Sequence, residues 1–570
     1  MSDRPLDPFG RLALLTRGNL LAVDKVLLAA LAAAFLLCLN GITSRYLHPD
    51  QMAFVPLFQE GKWPFNPGWF EKPPFHTYLN YFLTLLPVSL LDRLLNLPPD
   101  ALELLQRLWS KVLTAALFLG AIGLLFKITR TASGRVSARI VTLLFATSAG
   151  FVTYSHFLTA DIPVMFWMLL AFFFSQRILL RRKLSDYLLA GFLTGLAAAT
   201  KYNGLAIGLT IVVAHWLALA SLSLSPRDAW RQYLFDRKLL LGLSMVVAGF
   251  VAGNPYALLD HKTFAYDFAY NYMVAPVYEG QTGHSFARFF TVLTEIYGLP
   301  ALLLLAAAGL FAFFAALSRK GTAVERGTFW LGFSVLLIYY LKFGSFPRLE
   351  TRFVVPVAPL LLIVSCPFWK RLKAYKAPLA VVLAGLLAYN LLCSFYVGQR
   401  FLEDPRAAAE AWVAANVPPG SLIEGDIYAP DWNAGPQAGV ESVMSPFVTG
   451  RERLFREIFK GNSFINGPDD NSAAIDETVA WYSPERLNAR RPDFVAVDSL
   501  YYDRFTAPGL RRDLYPSMDS YFRGLLGEKL PYDIVFDRET SPLPFWIYPR
   551  EIDFLHNRIT ILRRRGDAGQ

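Results

Sequence analysis

Long apolar runs dominate the chain, and short polar intervals separate them. Most runs approach the roughly 20 residues that a helix needs to cross hydrocarbon. They predict eleven transmembrane helices, near 26–43, 106–126, 139–155, 162–180, 186–201, 203–222, 239–256, 293–317, 328–342, 353–368 and 378–397. The intervals alternate in charge. Lys127, Arg130, Arg135 and Arg139 follow the second run, Arg181, Arg182 and Lys183 the fourth, and Arg227, Arg231, Arg237 and Lys238 the sixth. Arg319, Lys320 and Arg326 follow the eighth, and "KRLKAYK" follows the tenth. Together with Arg11, Arg17 and Lys25 before the first run, these fall on one side, which the positive-inside rule makes cytoplasmic. With so many runs downstream, the first reads as an uncleaved helix rather than a signal peptide.

The opposite side receives the long loop 44–105, the short "SHFLTAD", a loop at 257–292, "KFGSFPRLETR" and everything after residue 398. In the first loop, "QMAFVPLFQEG" and "HTYLNYFLTLLPVSLLDRLL" are apolar enough to be helices lying in the membrane interface. Beyond 398 the pattern changes. "DPRAAAEAWVAANVPPG" predicts a short helix capped by Asp404, and "SLIEGDIY", "DFVAVDSLYY", "YDIVFD" and "RITILRR" predict strands. The reading is a polytopic α-helical membrane domain, 1–398, followed by a mixed α/β soluble domain, 399–570.

Composition narrows the classes. Of 570 residues 54% are hydrophobic and 18% charged, too little charge to cover a soluble protein of this length. The net charge of +10 is spread among the intervals rather than gathered in a patch, so nucleic acid is not the expected partner. Cys38, Cys366 and Cys393 all lie in apolar runs and offer neither a disulfide framework nor a Cys-based metal site.

The chemistry-bearing residues sit at run ends. Asp50, in "HPD" after the first run, suits a helix N-cap, or a base held at a shielded cleft. "FEKPPF" places Glu71 beside Lys72 ahead of two prolines. Asp161 opens an apolar run, with Pro163 in its first turn, as a cap would. Lys201, in "AAATKYNGL", is flanked by apolar residues, where an ammonium calls for a partner, an anion or a path to the interface. Arg352 opens the tenth run near Arg348 and Glu350, as an interfacial anchor would. His284 lies near Glu279, and two such residues make a weak metal site. The topology puts all of them at one face, where cations suit a phosphate leaving group and a carboxylate suits an incoming hydroxyl.

In this order, "HPD", "FEKPP", Asp161 ahead of the fourth run, "TKYNG" and "RFVVPVAP" resemble the GT-C membrane glycosyltransferases, above all family 39 and the related aminoarabinose (lipid A) and protein O-mannosyl transferases. The resemblance covers residues 20–400. It implies a polyprenyl-phosphate sugar donor, inverting transfer to a lipid, glycan or protein hydroxyl, and a cavity on the extracytoplasmic side. It further implies a multi-pass protein of a bacterial inner membrane among membrane lipids, with its N-terminus cytoplasmic and its C-terminal domain outside. Carried over, Asp50 is the general base and Asp161 orients the acceptor or the base. Lys72, Lys201 and Arg352 bind the donor phosphate, and Glu71 matches a carboxylate that holds a metal in some relatives, here with His284 as candidate partner. Relatives often carry "DE" where this chain has Asp50-Gln51. Lys and Arg alone can neutralise a phosphate, so no cofactor is expected to be obligatory, and a divalent metal is an optional addition. A transporter or flippase would be expected to show mid-run charges and repeat symmetry. A polysaccharide polymerase or ligase would not be expected to pair "HPD" with "EKPP".

Overall fold

A computed structural model describes residues 24–44, 51, 54–220, 226–273, 283–372, 376–430, 440–446, 477–506, 515–540, 544–549, 555 and 557–565. Each of the eleven apolar runs meets a helix, but not each meets an unbroken one. Among the described residues six helices are long and apolar enough to cross a membrane, and a seventh forms if the pair Arg135–Thr147 and Ala149–His156, bent by 51°, counts as one span. That bend sits at Ser148, whose backbone is extended. The helices Lys25–Leu39 and Leu184–Thr200 are apolar but shorter. The expected run 353–368 is broken too. Thr351–Val354 ends and Ala358–Arg371 begins around Pro356 and Pro359, which lack the N–H groups a continuous helix would use. The protein is a multi-pass membrane protein whose main apolar core, joined by smaller clusters, buries Phe118, Phe145, Phe151, Tyr297, Tyr339 and Trp369 fully or nearly so.

One helix pair packs backbone to backbone. A Cβ on Gly191 would lie 1.8 Å from the carbonyl oxygen of Gly242, and one on Gly249 would lie 2.1 Å from that of Phe192. Small residues at such a contact let Leu184–Thr200 and Arg237–Gly253 touch along their length, as transmembrane helices do where packing replaces the hydrophobic drive. This fixes the end of Leu184–Thr200, where Lys201 sits.

The first loop corrects part of the sequence reading. "HTYLNYFLTLLPVSLLDRLL" is helical, as Phe75–Asn80, a π turn at Tyr81–Leu85 and Leu86–Leu95. The π turn precedes Pro87, which cannot donate to the carbonyl of Leu83; the Trp109 indole donates to that carbonyl instead, at 3.1 Å. The other expected interfacial helix, "QMAFVPLFQEG", is absent among its described residues, which form turns and bends. Pro56 interrupts it, and the Gln59 amide donates to the carbonyls of Pro56 and Pro67, closing a loop. Asp50 lies outside the described residues.

In the C-terminal region all four expected strands are present, at Leu422–Gly425 (β1), Phe494–Asp498 (β3), Tyr532–Glu539 (β4) and Arg558–Arg564 (β5). A fifth, Glu441–Met444 (β2), was not expected: it is four residues long and has no fully buried position to mark it. The sheet order is β2-β1-β3-β5-β4, with β1 parallel to β2 and β3, and β5 antiparallel to β3 and β4. The predicted helix forms at Pro405–Asn416, with the Asp404 carboxylate accepting from the Arg406 N–H at 2.9 Å. The domain leans on the bundle: Ile547 and Leu555 join the membrane core, and the Tyr389 hydroxyl donates to the Trp546 carbonyl at 2.8 Å.

Candidate active site

Five of the seven residues singled out in the sequence line one cleft, whose empty space is about 1230 Å³ with its mouth included. They are Glu71, Lys72, Asp161, Lys201 and Arg352, from four separate stretches of chain. His284 is exposed, sits tilted against Phe286 and is not part of the lining, so the structure does not join it to Glu71 there. Among the described residues no three of His, Cys, Asp and Glu gather as metal ligands would.

Each contributing stretch is held for a local reason. The "FEKPPF" corner is clamped by side chains from elsewhere. Asp267 accepts from the Phe70 N–H, the Tyr202 hydroxyl donates to the Phe70 carbonyl at 2.6 Å, and the Asn271 amide donates to the Glu71 carbonyl at 2.5 Å. The Lys72 ammonium then sits 5.4 Å from the Trp69 ring centroid. At "TKYNG" the helix Leu184–Thr200 stops as Lys201 turns extended, and a 3-10 turn, Tyr202–Gly208, follows. Segment 344–349 is pinned by the start of helix Phe286–Tyr297: the Ser285 N–H donates to the Gly344 carbonyl at 2.7 Å and the Arg288 Nε to the Leu349 carbonyl at 2.8 Å.

Within the cleft the charges pair across segments. Lys201 Nζ lies 2.6 Å from Asp161 Oδ1, and the Thr159 hydroxyl donates to Asp161 Oδ2 at 2.7 Å. The sequence reading gave Asp161 and Lys201 separate roles; the structure makes them one pair, with the carboxylate buried and the ammonium partly so. The same ammonium stands 5.4 Å from the Phe353 ring centroid. Arg348 and Arg352 grip the two oxygens of Glu350, one each. Lys342, in the last turn of Ala323–Gly344, also lines the cleft, 4.7 Å from the Tyr272 ring centroid. Five cations thus line the cleft with two carboxylates, Glu71 and Asp161. Phe343, Phe346, Phe353, Tyr270 and Tyr272 form an apolar wall beside them. Such a cleft suits an anion carried on a greasy tail.

Reading the sequence left out Lys342, Tyr270, Asn271 and Asp267. "YYLKFG" gave a signal for the first, an ammonium closing an apolar run. The others lie on helix His261–Met273, a stretch read only as loop.

Asp267 makes this helix pH-sensitive. Burial raises its carboxyl to about 7, opposed by the Phe70 N–H and reinforced by the charges of Glu71 and Asp260. Because the folded value lies above the ordinary 3.8, its contribution to stability is full below about 4 and is lost as pH rises through 7. A carboxyl raised from 3.8 to about 7 is worth at most about 4 kcal/mol. Asp267→Asn keeps an acceptor for Phe70 and removes the charge. In detergent, wild type should lose thermal stability between pH 5 and 8 and the variant should lose less; superimposable pH profiles would refute this.

Comparison with known proteins bears on the fold. Residues 105–250, which include Asp161 and Lys201, match the family model of dolichyl-phosphate-mannose-protein mannosyltransferases. A comparison with curated proteins finds no match. Among solved structures, the chain resembles ArnT from Cupriavidus metallidurans bound to undecaprenyl phosphate, at 15% identity and a TM-score of 0.50, over 95% of this chain and 98% of that one. The apo state of the same protein gives 14% identity and 0.51, over 94% and 97%. The oligosaccharyltransferase AglB from Archaeoglobus fulgidus, in complex with an inhibitory peptide and a dolichol-phosphate, is 14% identical over 94% of this chain and 88% of that one, at a TM-score of 0.43 that carries no weight for the fold. The fold is that of the GT-C membrane glycosyltransferases.

Proposed function

We propose that this chain, a GT-C membrane glycosyltransferase by fold, moves a sugar from a polyprenyl-phosphate donor to an acceptor hydroxyl, with inversion at the anomeric carbon. The observation that carries the reading is the convergence of Lys72, Lys201, Lys342, Arg348 and Arg352 beside an apolar aromatic wall. The donor phosphate binds among these cations while its tail follows the wall and the lipid. The acceptor oxygen attacks the anomeric carbon, the bond from that carbon to the phosphate oxygen breaks, and the phosphate leaves with the electron pair. Cations facing the departing oxygen stabilise it most as charge develops. Asp50, as the resemblance suggests, takes the acceptor proton. Asp161, held by Thr159 and Lys201, orients the acceptor or that base.

The likeness to ArnT supports a lipid-linked donor, and the charge alternation supports an extracytoplasmic cleft in a bacterial inner membrane, with the N-terminus cytoplasmic and the C-terminal domain outside. The acceptor belongs to the hydroxyls of lipids, glycans or proteins. No metal is needed where five cations already meet the phosphate; Glu71 is the cleft carboxylate that would hold a divalent ion taking part.

The test is to incubate purified protein in detergent with a panel of radiolabelled polyprenyl-phosphate sugars, beside Asp50→Asn. Wild type should consume one donor, and the variant should do so about a hundredfold or more slowly. If wild type neither binds nor consumes any donor, the reading fails. Equal turnover by the variant removes Asp50 from the mechanism.

A further inference from the structure

A second cavity lies at the other end of the bundle. It holds about 610 Å³, mouth included, between helices Leu299–Leu317, Ala323–Gly344 and Ala358–Arg371. Its polar lining is Lys320, Arg326, Lys370 and Arg371 with one carboxylate, Glu325. Ala323–Gly344 connects the two cavities. Arg326 lies in its first turn and Lys342 in its last, about 24 Å apart along the helix axis, close to the depth of a hydrocarbon core. The basic cavity therefore opens at the membrane face away from the cleft, the face that the positive-inside rule makes cytoplasmic.

Glu325 is already engaged. It completes a capping box with Thr322, and Lys370 Nζ reaches its Oε1 at 2.9 Å. One carboxylate against four cations leaves a strong positive surplus. The Arg326 guanidinium is aimed by neutral groups, donating to the carbonyls of Arg319 and Gly321 at 3.1 and 2.7 Å, which fix its place without cancelling its charge. Arg371 stacks over Phe311, 5.0 Å from the ring centroid.

A further hollow shares part of the cavity's wall. Arg326 and Ala316 belong also to a second hollow, about 1170 Å³ with its mouth, walled by Leu179, Leu217, Leu317 and Trp330. A cationic pocket that shares a wall with a largely apolar groove at one membrane face matches a molecule with an anionic head and an alkyl tail. From this juxtaposition we infer that Lys320, Arg326 and Arg371 bind the phosphate headgroup of an anionic phospholipid of that leaflet, with an acyl chain along Leu217 and Trp330. The site is separate from the donor cleft and does not depend on the function proposed for it.

Native mass spectrometry of the purified full chain in detergent, titrated with phosphatidylglycerol or phosphatidylcholine, tests the assignment. Wild type should retain one phosphatidylglycerol at least about tenfold more tightly than phosphatidylcholine. Raising ionic strength before desalting should erode that preference, since exposed charges are screened. Lys320→Gln combined with Arg371→Gln leaves the Lys370–Glu325 pair intact and should abolish the preference, whereas Arg348→Gln in the cleft should not. Equal retention of the two lipids by wild type would overturn the proposal. So would a preference indifferent to salt, or loss of the lipid in the Arg348 variant alone. Displacement by millimolar inorganic phosphate would reassign the pocket to a free anion and overturn it as well.

Discussion

Asp161→Asn should lower donor turnover about a hundredfold or more and cost about 3–5 kcal/mol of stability. Both effects have one cause. The Asp161 side chain is 3% exposed and that of Lys201 20%, and they meet at 2.6 Å. Taking the negative charge away leaves a half-buried ammonium with only a neutral amide oxygen, a ring face and a distant carbonyl for company. Lys201→Met should cost as much or more, because it strands the better-buried carboxylate. Combined, the two substitutions should restore much of the stability, as neither charge is then left alone, but none of the turnover. Thermal unfolding in detergent and donor turnover on the four proteins read this cycle directly. Asp161→Asn at wild-type turnover would remove the pair from the chemistry; additive stability losses would mean that the two groups do not act as a unit.

Arg352→Gln should weaken donor binding by about ten- to a hundredfold while lowering the maximal rate less. A hydrogen bond to a charged partner contributes about 1.5–3 kcal/mol, and Arg352 lines the cleft with its guanidinium aimed by Glu350. Lysine should rescue only part of the loss, since it cannot reproduce the planar two-sided donor that Glu350 orients. The measurement is equilibrium binding of the lipid-phosphate sugar by wild type, Arg352→Gln and Arg352→Lys at two ionic strengths. Affinities within twofold of one another would place the phosphate elsewhere.

Most of the fold could be read because uniformly apolar runs leave little freedom: hydrocarbon accepts only helices whose backbone groups are paired internally. Strands β1, β3, β4 and β5 were equally legible from their apolar runs and flanking turns. Breaks were harder. Ser148, Pro56 and the prolines around 356 each carry a local signal, but greasy neighbours mask it, and the π turn before Pro87 depends on an indole that arrives from residue 109. At the site, sequence named the residues whose types are costly at a run end: Glu71, Lys72, Asp161, Lys201 and Arg352. It did not find that Lys201 and Asp161 pair, because a contact spanning forty residues leaves no periodic trace. Nor did it find Asp267 and Asn271, ordinary polar residues whose importance comes only from the corner they clamp.

The glycine contact between Leu184–Thr200 and Arg237–Gly253 gives the two halves of the cleft unequal freedom to diverge. Where backbone meets backbone at Gly191 and Gly249, no side chain remains to be traded for another, so the main-chain contact itself holds the helix that ends at Lys201. The corner at 70–75 and the stretch 344–353 hang instead on side-chain hydrogen bonds, which exchange easily. A lineage taking up a new acceptor would therefore change its loops and leave its glycines alone.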